Sequence, residues 1–310
     1  MARDARQLLK PEALARLKSL QLRARGVVDG VLTGLHRSPH HGASVEFAEH
    51  KEYAPGDEIR HVDWKVFGKS DKYYIRRYEQ ETNLQAMLLV DASASMLYQS
   101  EAAIASKWDY ACDLAASLSY LLLRQQDAVG LTVVDDKVNV YVPPRSRSTH
   151  LMNVCELLVR ATPKAGRQTK LAAGVKHLTE VFTRRGLVYV ISDFLDTDSD
   201  WFKVLRQLRG RRQQVTLLHL VDPWELTFPF DDMTIFRSLE SGTELLAEPR
   251  VMREAYLREF RRFTSELRTS ALADGMEYRM IRTDASLEAS LTSLLAPGGT
   301  DETSMEPDGI

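Results

Sequence analysis

Cysteine is nearly missing from this 310-residue chain, and its two cysteines, Cys112 and Cys155, form no CxxC pair. Both fall in stretches that read as helices, so buried free thiols are expected, not a disulfide or a cysteine zinc site. His36, His40, His41, His50 and His61 have no cysteine nearby and fit no structural zinc spacing. Long apolar runs are missing too. The N-terminus, MARDARQLLKPEALARLKSL, alternates charge with Leu and Ala at helical spacing, unlike a signal peptide or a spanning segment, so a cytoplasmic location is expected. A net charge of only −2 gives no pull toward nucleic acid or anionic membrane. The arginine-rich runs at 206–212 and 258–262 lie on or beside helical patterns and read as solvated faces. No GxSxG elbow, HExxH pair, P-loop, GxGxxG or internal repeat occurs, which removes the common signatures of serine hydrolysis, zinc proteolysis and nucleotide binding.

What is present is an alternation. From about residue 84, apolar runs of strand length alternate with amphipathic stretches of helix length, the pattern of a mostly parallel sheet covered on both faces. Strands are expected at Gln85 to Val90, Ala128 to Val134, Lys137 to Val142, Leu187 to Ser192, Gln214 to Val221 and Glu277 to Arg282. Helices are expected at Lys107 to Gln126, Thr149 to Ala161, Lys170 to Arg184, Ser199 to Arg211, Arg250 to Asp274 and Ser286 to Leu295. Asp135-Asp136 leaves room only for a hairpin, so the third strand is expected at an antiparallel edge. Residues 1–83 read as a separate N-terminal helix and region rich in Gly, Pro and His. It has one β-like alternation, Ser44 to Phe47, and a turn at Ala54-Pro55-Gly56-Asp57. Residues 84–296 form the main domain, and 297–310 read as a disordered tail.

The stretch LLVDASAS carries the chemistry. An apolar run ends in Asp91, and Ser93 and Ser95 follow at alternate positions. A carboxylate closing a buried strand is costly unless its charge is offset, and no Lys or Arg lies between Leu84 and Ser106. A divalent cation would offset it. Asp and hydroxyl oxygens are the hard ligands that magnesium prefers, with manganese or calcium as substitutes. Ligands in open α/β sheets sit at the carboxyl ends of the strands. There Asp193 closes the run LVYVISD, and Thr169 stands just before a helix.

Asp91, Ser93 and Ser95 in D-x-S-x-S, Thr169 before a later helix and Asp193 ending the fourth strand together resemble the von Willebrand factor A domain and its metal-ion-dependent adhesion site. The resemblance implies that Asp91, Ser93, Ser95 and Thr169 ligate the metal directly or through water, with Asp193 acting through water. Upstream, Gly56, Asp57, Arg60, Asp63 and Trp64 fill a GD-x-x-R-x-[IV]-DW run, which resembles the signature of the bacterial family called domain of unknown function 58. Phe67-Gly68-Lys69 stands where relatives often show an Ala-Arg pair. Many relatives carry transmembrane helices before this run, whereas here none is read.

The resemblance implies an α/β, von Willebrand factor A-like (Rossmann-like) three-layer sandwich, with a mostly parallel sheet, one antiparallel edge strand and a family-specific N-terminal region. It also implies association with a MoxR-type AAA+ ATPase in chaperone-like assembly or activation of other proteins. With two carboxylates, such a site leaves a divalent ion electrophilic and ready for an Asp or Glu from a partner. Hydrolysis would need a nucleophile or general base in reach. No catalytic residue is assigned, so the chain is expected not to be an enzyme, and a phosphoesterase-like metal-dependent hydrolase is the alternative. On purely structural readings, Asp57, Arg60 and Asp63 make an ion-pair network around the turn above Trp64.

Overall fold

The computed structural model describes residues 84–295 apart from 167, 168, 197–199 and 212. It also describes residues 20, 23–25, 27 and 28, and the backbone of two strands, β1 (Glu46–Glu52) and β2 (Tyr74–Glu79). The expected turn at 54–57, the network of Asp57, Arg60, Asp63 and Trp64, and the tail 297–310 lie outside the described residues.

By compactness the chain forms two units, one of Leu35–Asn83 and one of Met1–Gly34 with Leu84–Ile310. In the smaller unit β1 pairs antiparallel with β2, with a register shift between Phe47 and Glu49. The alternation read at Ser44 to Phe47 overlaps the start of β1, whereas β2 was not foreseen.

The larger unit is built on a six-stranded sheet of β3 (Gln85–Asp91), β4 (Ala128–Val134), β5 (Val138–Arg145), β6 (Leu187–Ser192), β7 (Gln214–Val221) and β10 (Glu277–Arg282). Their order is β10-β7-β6-β3-β4-β5. All neighbours are parallel except β4 with β5, so β5 is the expected antiparallel edge strand. β5 runs on through Pro143 and Pro144, which an edge tolerates because a missing N–H there breaks no interior ladder.

Helices cover both faces. Met87 and Leu89 of β3 join Val188, Val190, Val215 and Leu217 in one buried layer. Against that layer pack Leu171, Val175 and Leu178 of α3 (Leu171–Val181), Leu205 and Leu208 of α4 (Asp200–Gly210), and Leu267 and Ala271 of α6 (Pro249–Ala273). α3 approaches closely enough that a Cβ on Gly174 would lie 2.8 Å from Leu89 Cδ1. The alternate β3 residues, Ala86, Leu88 and Val90, are also fully buried and face α1 (Lys107–Arg124), beside α2 (His150–Arg160) and α7 (Leu287–Leu295). Each fully buried Leu or Val contributes about 1.5–3 kcal/mol, so a central strand inaccessible on both faces anchors whatever its end carries.

Within the expected N-terminal region 1–83, residues 20, 23–25, 27 and 28 are described, and they belong to the larger unit. The cause is a buried stripe: Leu20, Ala24 and Val28 recur every fourth residue at 3%, 0% and 1% exposure. Arg23 forks onto Asp113 of α1, with Nη2 at 2.7 Å from Oδ1 and Nε at 3.1 Å from both oxygens. Cys112 and Cys155 are free and buried, as expected.

Two further elements lie between β7 and α6. α5 (Pro223–Thr227) is a short helix, and β8 (Thr234–Arg237) pairs antiparallel with β9 (Glu244–Ala247) as a hairpin. Neither was expected.

Candidate functional site

In this sheet the strand order reverses between β3 and β6, the point where connections leave in opposite directions and where open α/β sheets bind ligands beyond the carboxyl ends of the strands. Asp91 ends β3 and Asp193 immediately follows β6, and both are buried, at 0% and 1% exposure. The turn after β3 is fixed by Ala92 N–H donating to Val134 C=O at 2.7 Å, and a 3₁₀ turn over Ala94–Leu97 follows.

The aspartates and serines are linked. Asp91 Oδ1 accepts from Ser93 N–H at 2.8 Å, and Oδ2 accepts from the Ser192 hydroxyl at 2.6 Å. The Ser93 hydroxyl also bonds Asp91, Ser93 Oγ lies 3.0 Å from Ser95 Oγ, and the Ser95 hydroxyl reaches Asp193. Phe194 takes a left-handed φ of 55° directly after Asp193, a conformation that a β-branch-free but bulky side chain adopts only under constraint. Its N–H is tied to Ser192 Oγ at 2.8 Å and its ring stacks on Trp201 at 5.3 Å.

Thr169, 5% exposed, comes to the same edge. Its neighbour Lys170 donates N–H to Asp135 C=O beyond the end of β4 at 3.0 Å. Leu171 N–H donates to Asp196 Oδ2 in the loop after β6 at 2.9 Å. β4 and β6 flank β3, so these bonds place the loop beside the aspartates. The Thr169 hydroxyl, however, is engaged with an acid not foreseen from sequence: Thr169 Oγ1 donates to Glu240 Oε1 at 3.0 Å.

A second unforeseen group changes the charge balance. The stretch without cations ends at Ser106, and the next residue, Lys107, is 1% exposed with Nζ 3.1 Å from Asp193 Oδ2 and 2.5 Å from Glu225 Oε1. Ser106 starts the helix by accepting Asp109 N–H at 3.0 Å, which sets Lys107 in its first turn. Glu225 is itself fixed by a capping box in which its Oε2 accepts Asp222 N–H at 2.8 Å. Asp222 caps Trp224 N–H through Oδ1 and holds Ser100 N–H through Oδ2, each at 2.9 Å.

The two aspartates therefore titrate in opposite directions. Burial pushes the Asp91 carboxyl well above the usual range, and the Asp193 charge pushes it further, against the Ser192 and Ser93 bonds. Burial acts the same way on Asp193, but the Lys107 ammonium and the Ser95 bond outweigh it and hold that carboxyl below its ordinary value. Burial alone would lower the Lys107 pKa; Asp193 and Glu225 raise it instead, so the ammonium stays charged. His219, buried under Asp193, is driven down to about 3 mainly by burial and is neutral.

Among the described residues no cluster of three or more His, Cys, Asp or Glu side chains is arranged as a metal site. The donor set here is of another kind: two carboxylates and hydroxyls, all hard oxygens. It suits a hard cation beside Asp91, whose bonding groups, Ser93 and Ser192, are neutral.

Strand order and the single antiparallel edge make this an α/β domain on a mostly parallel central sheet. The chain belongs to the family described as Protein of unknown function DUF58, whose profile matches residues 49–266. An uncharacterized protein of Mycobacterium tuberculosis is 26% identical over 289 residues, spanning 92% of this chain and 90% of that one. An uncharacterized protein of Mycobacterium bovis aligns with the same 26% identity and the same 92% and 90% shares. Among solved structures, the conserved hypothetical protein BatB from Bacteroides thetaiotaomicron superposes with a TM-score of 0.43 at 15% identity, covering 67% of this chain and 95% of that one. The SpRpn10 VWA domain does so at 0.41 and 12%, covering 70% and 97%. Among the described residues no helix is long and apolar enough to cross a membrane.

Proposed function

We propose that the chain is a protein-binding module that holds a divalent cation, magnesium by preference, through Asp91, Ser93, Ser95, Thr169 and Asp193, and presents it to an Asp or Glu of a partner protein. The observation that carries this reading is the buried Asp91 carboxylate, bonded by neutral donors beside a second carboxylate already paired with Lys107. Bound there, the cation would supply an electrophilic centre with a position left for an external carboxylate. Ser93 and Ser95 keep the donor charge low, and Lys107 cancels much of what Asp193 adds. Asp91 is thus left to hold the ion, and Ser192 and Ser93 N–H hold Asp91 in orientation.

Binding is favoured over hydrolysis because the groups behind Asp91 are committed. Asp193 and Glu225 share Lys107, Asp222 caps two backbone amides, and His219 is a buried neutral ring whose Nδ1 lies 2.7 Å from Tyr278 Oη. None is posed as a general base. The partner implied by family resemblance is a MoxR-type AAA+ ATPase. Calorimetric titration of Mg²⁺ into wild type and Asp91→Ala, with capture of such an ATPase in Mg²⁺ and in chelator, tests the reading. Capture that depends on both Mg²⁺ and Asp91 is expected. Equal capture in chelator, or by Asp91→Ala, would overturn it.

A further inference from the structure

The unforeseen acid at Thr169 belongs to the β8–β9 hairpin. We propose that Glu240 is an internal acidic plug: it closes the Thr169 corner of the site and must be displaced before a partner's carboxylate enters. This rests on the reading of the site as an acceptor for an external acid and adds its regulation.

The contact is built, not incidental. Glu240 comes from 71 residues beyond Thr169 and accepts its hydroxyl at 3.0 Å, and the Thr169 N–H bonds the same carboxylate. Leu239 C=O accepts Gly166 N–H at 3.0 Å, so the hairpin tip and the loop before α3 are joined by backbone as well. Gly166 has a φ of 80°, which lets that loop turn to meet the tip. The tip is pre-shaped: Ser238 N–H donates to Thr243 C=O at 2.8 Å, Gly242 N–H returns to Ser238 C=O at 2.9 Å, and Gly242 has a φ of 71°. Behind the tip, Phe236 of β8 stacks on Phe228 at 5.6 Å and meets Phe230 edge-on at 5.2 Å.

The same geometry makes the plug releasable. Neutral donors hold the Glu240 carboxylate, while Asp193 and Asp196 oppose it as like charges. An acid placed beside two other acids by a hydroxyl and an amide is poised for exchange. Displacement uncovers little, since Ile235, Leu245 and Leu246 of the hairpin are already 61%, 55% and 61% exposed. Chemically, Glu240 presents to Thr169 the same group that an external Asp or Glu would present.

The test uses the full chain, Mn²⁺ as the metal and acetate as the external carboxylate. Paramagnetic broadening of the acetate methyl signal reports acid that reaches the bound ion. A plug closed nine-tenths of the time lowers apparent affinity about tenfold, so Glu240→Ala, which removes the side chain, should strengthen acetate binding by about that factor with Mn²⁺ affinity unchanged. Glu240→Asp, which keeps the charge but shortens the reach to Thr169, should act in the same direction. If Mn²⁺ binding requires Asp91 yet acetate binds wild type and Glu240→Ala alike, the plug is wrong and the cation site stands. If Glu240→Ala loses Mn²⁺, Glu240 is a resident ligand and the plug is again wrong. If Mn²⁺ binds Asp91→Ala as well as wild type, the cation site itself is wrong, and the plug goes with it.

Discussion

The carboxyl ends of β3 and β6 lie side by side, and each carries a buried aspartate within bonding reach of Ser192 or Ser95. They differ in what meets the charge. At β6, Asp193 has the Lys107 ammonium at 3.1 Å, so its charge is compensated by the fold itself. At β3, Asp91 has the Ser93 N–H and the hydroxyls of Ser192 and Ser93, which orient a carboxylate without neutralising it. The difference teaches that two neighbouring strand ends can meet a buried carboxylate in different ways: one acid is paired within the scaffold, and the other is bonded by neutral donors alone.

The comparison breaks most severely if Lys107 is removed. Lys107→Met leaves Asp193 and Glu225 buried without their cation and should cost about 3–5 kcal/mol in urea unfolding. A loss below about 1 kcal/mol would show that Asp193 does not depend on Lys107 and that the two strand ends are alike. Neutralising each aspartate in turn gives the next effect. In chelator, Asp193→Asn should destabilise by about 1–3 kcal/mol, because Lys107 loses a partner, while Asp91→Asn should be near neutral. In Mg²⁺ the order of importance changes. Wild type should gain stability, about 2.7 kcal/mol at a concentration one hundred times the dissociation constant, and Asp91→Asn should gain none. Thermal melts with and without Mg²⁺ read both arms, and an equal gain in Asp91→Asn would refute the assignment.

A smaller perturbation moves β3 without touching charge. The added methyl of Gly174→Ala meets Leu89 Cδ1 at 2.8 Å and Val134 Cβ at 3.2 Å. Overpacking of that kind costs about 1–3 kcal/mol. The loss should be the same with and without Mg²⁺ if the strand end keeps its shape; a loss confined to one condition would show that α3 packing sets the geometry of Asp91.

Much of this edge was legible in the sequence, for a physical reason. β4, β6 and β7 have the bounds expected, because a strand inside the sheet is a nearly continuous apolar run cut off by polar residues, and the edge strand β10 has them through its alternation of apolar Tyr278, Met280 and Ile281 with charged residues. Asp91, Ser93, Ser95 and Asp193 were legible because they end such runs. The β8–β9 hairpin was not: each strand has four residues, half exposed or more, too short for an alternation to register. Its one sequence signal was Ser241-Gly242 between Phe236 and Leu245. Glu240 was therefore invisible. Lys107 was seen as the start of a helix, but its role depends on where that helix begins relative to β6, and the search for a compensating cation ended one residue before it.

The smallest effect separates acid sensitivity of the scaffold from that of the site. His150, at the start of α2, is 5% exposed, and its Nε2–H donates to Val129 C=O at 2.8 Å, near the amino end of β4 and away from both aspartates. Burial lowers its pKa and Arg145 adds to the effect, while the Val129 bond opposes them. An unfolded histidine titrates near about 6.5, so below that pH the unfolded chain binds a proton that the folded chain resists. The stability His150 contributes is full above that value and declines as pH falls through the lowered folded-state pKa. His150→Gln, which keeps an N–H donor and cannot titrate, should make the acid slope of unfolding free energy shallower below that pH. The slope should change by the same amount in Mg²⁺ and in chelator, since neither strand end is involved. A change seen only in Mg²⁺ would mean that β4 transmits protonation at one end to the cation at the other.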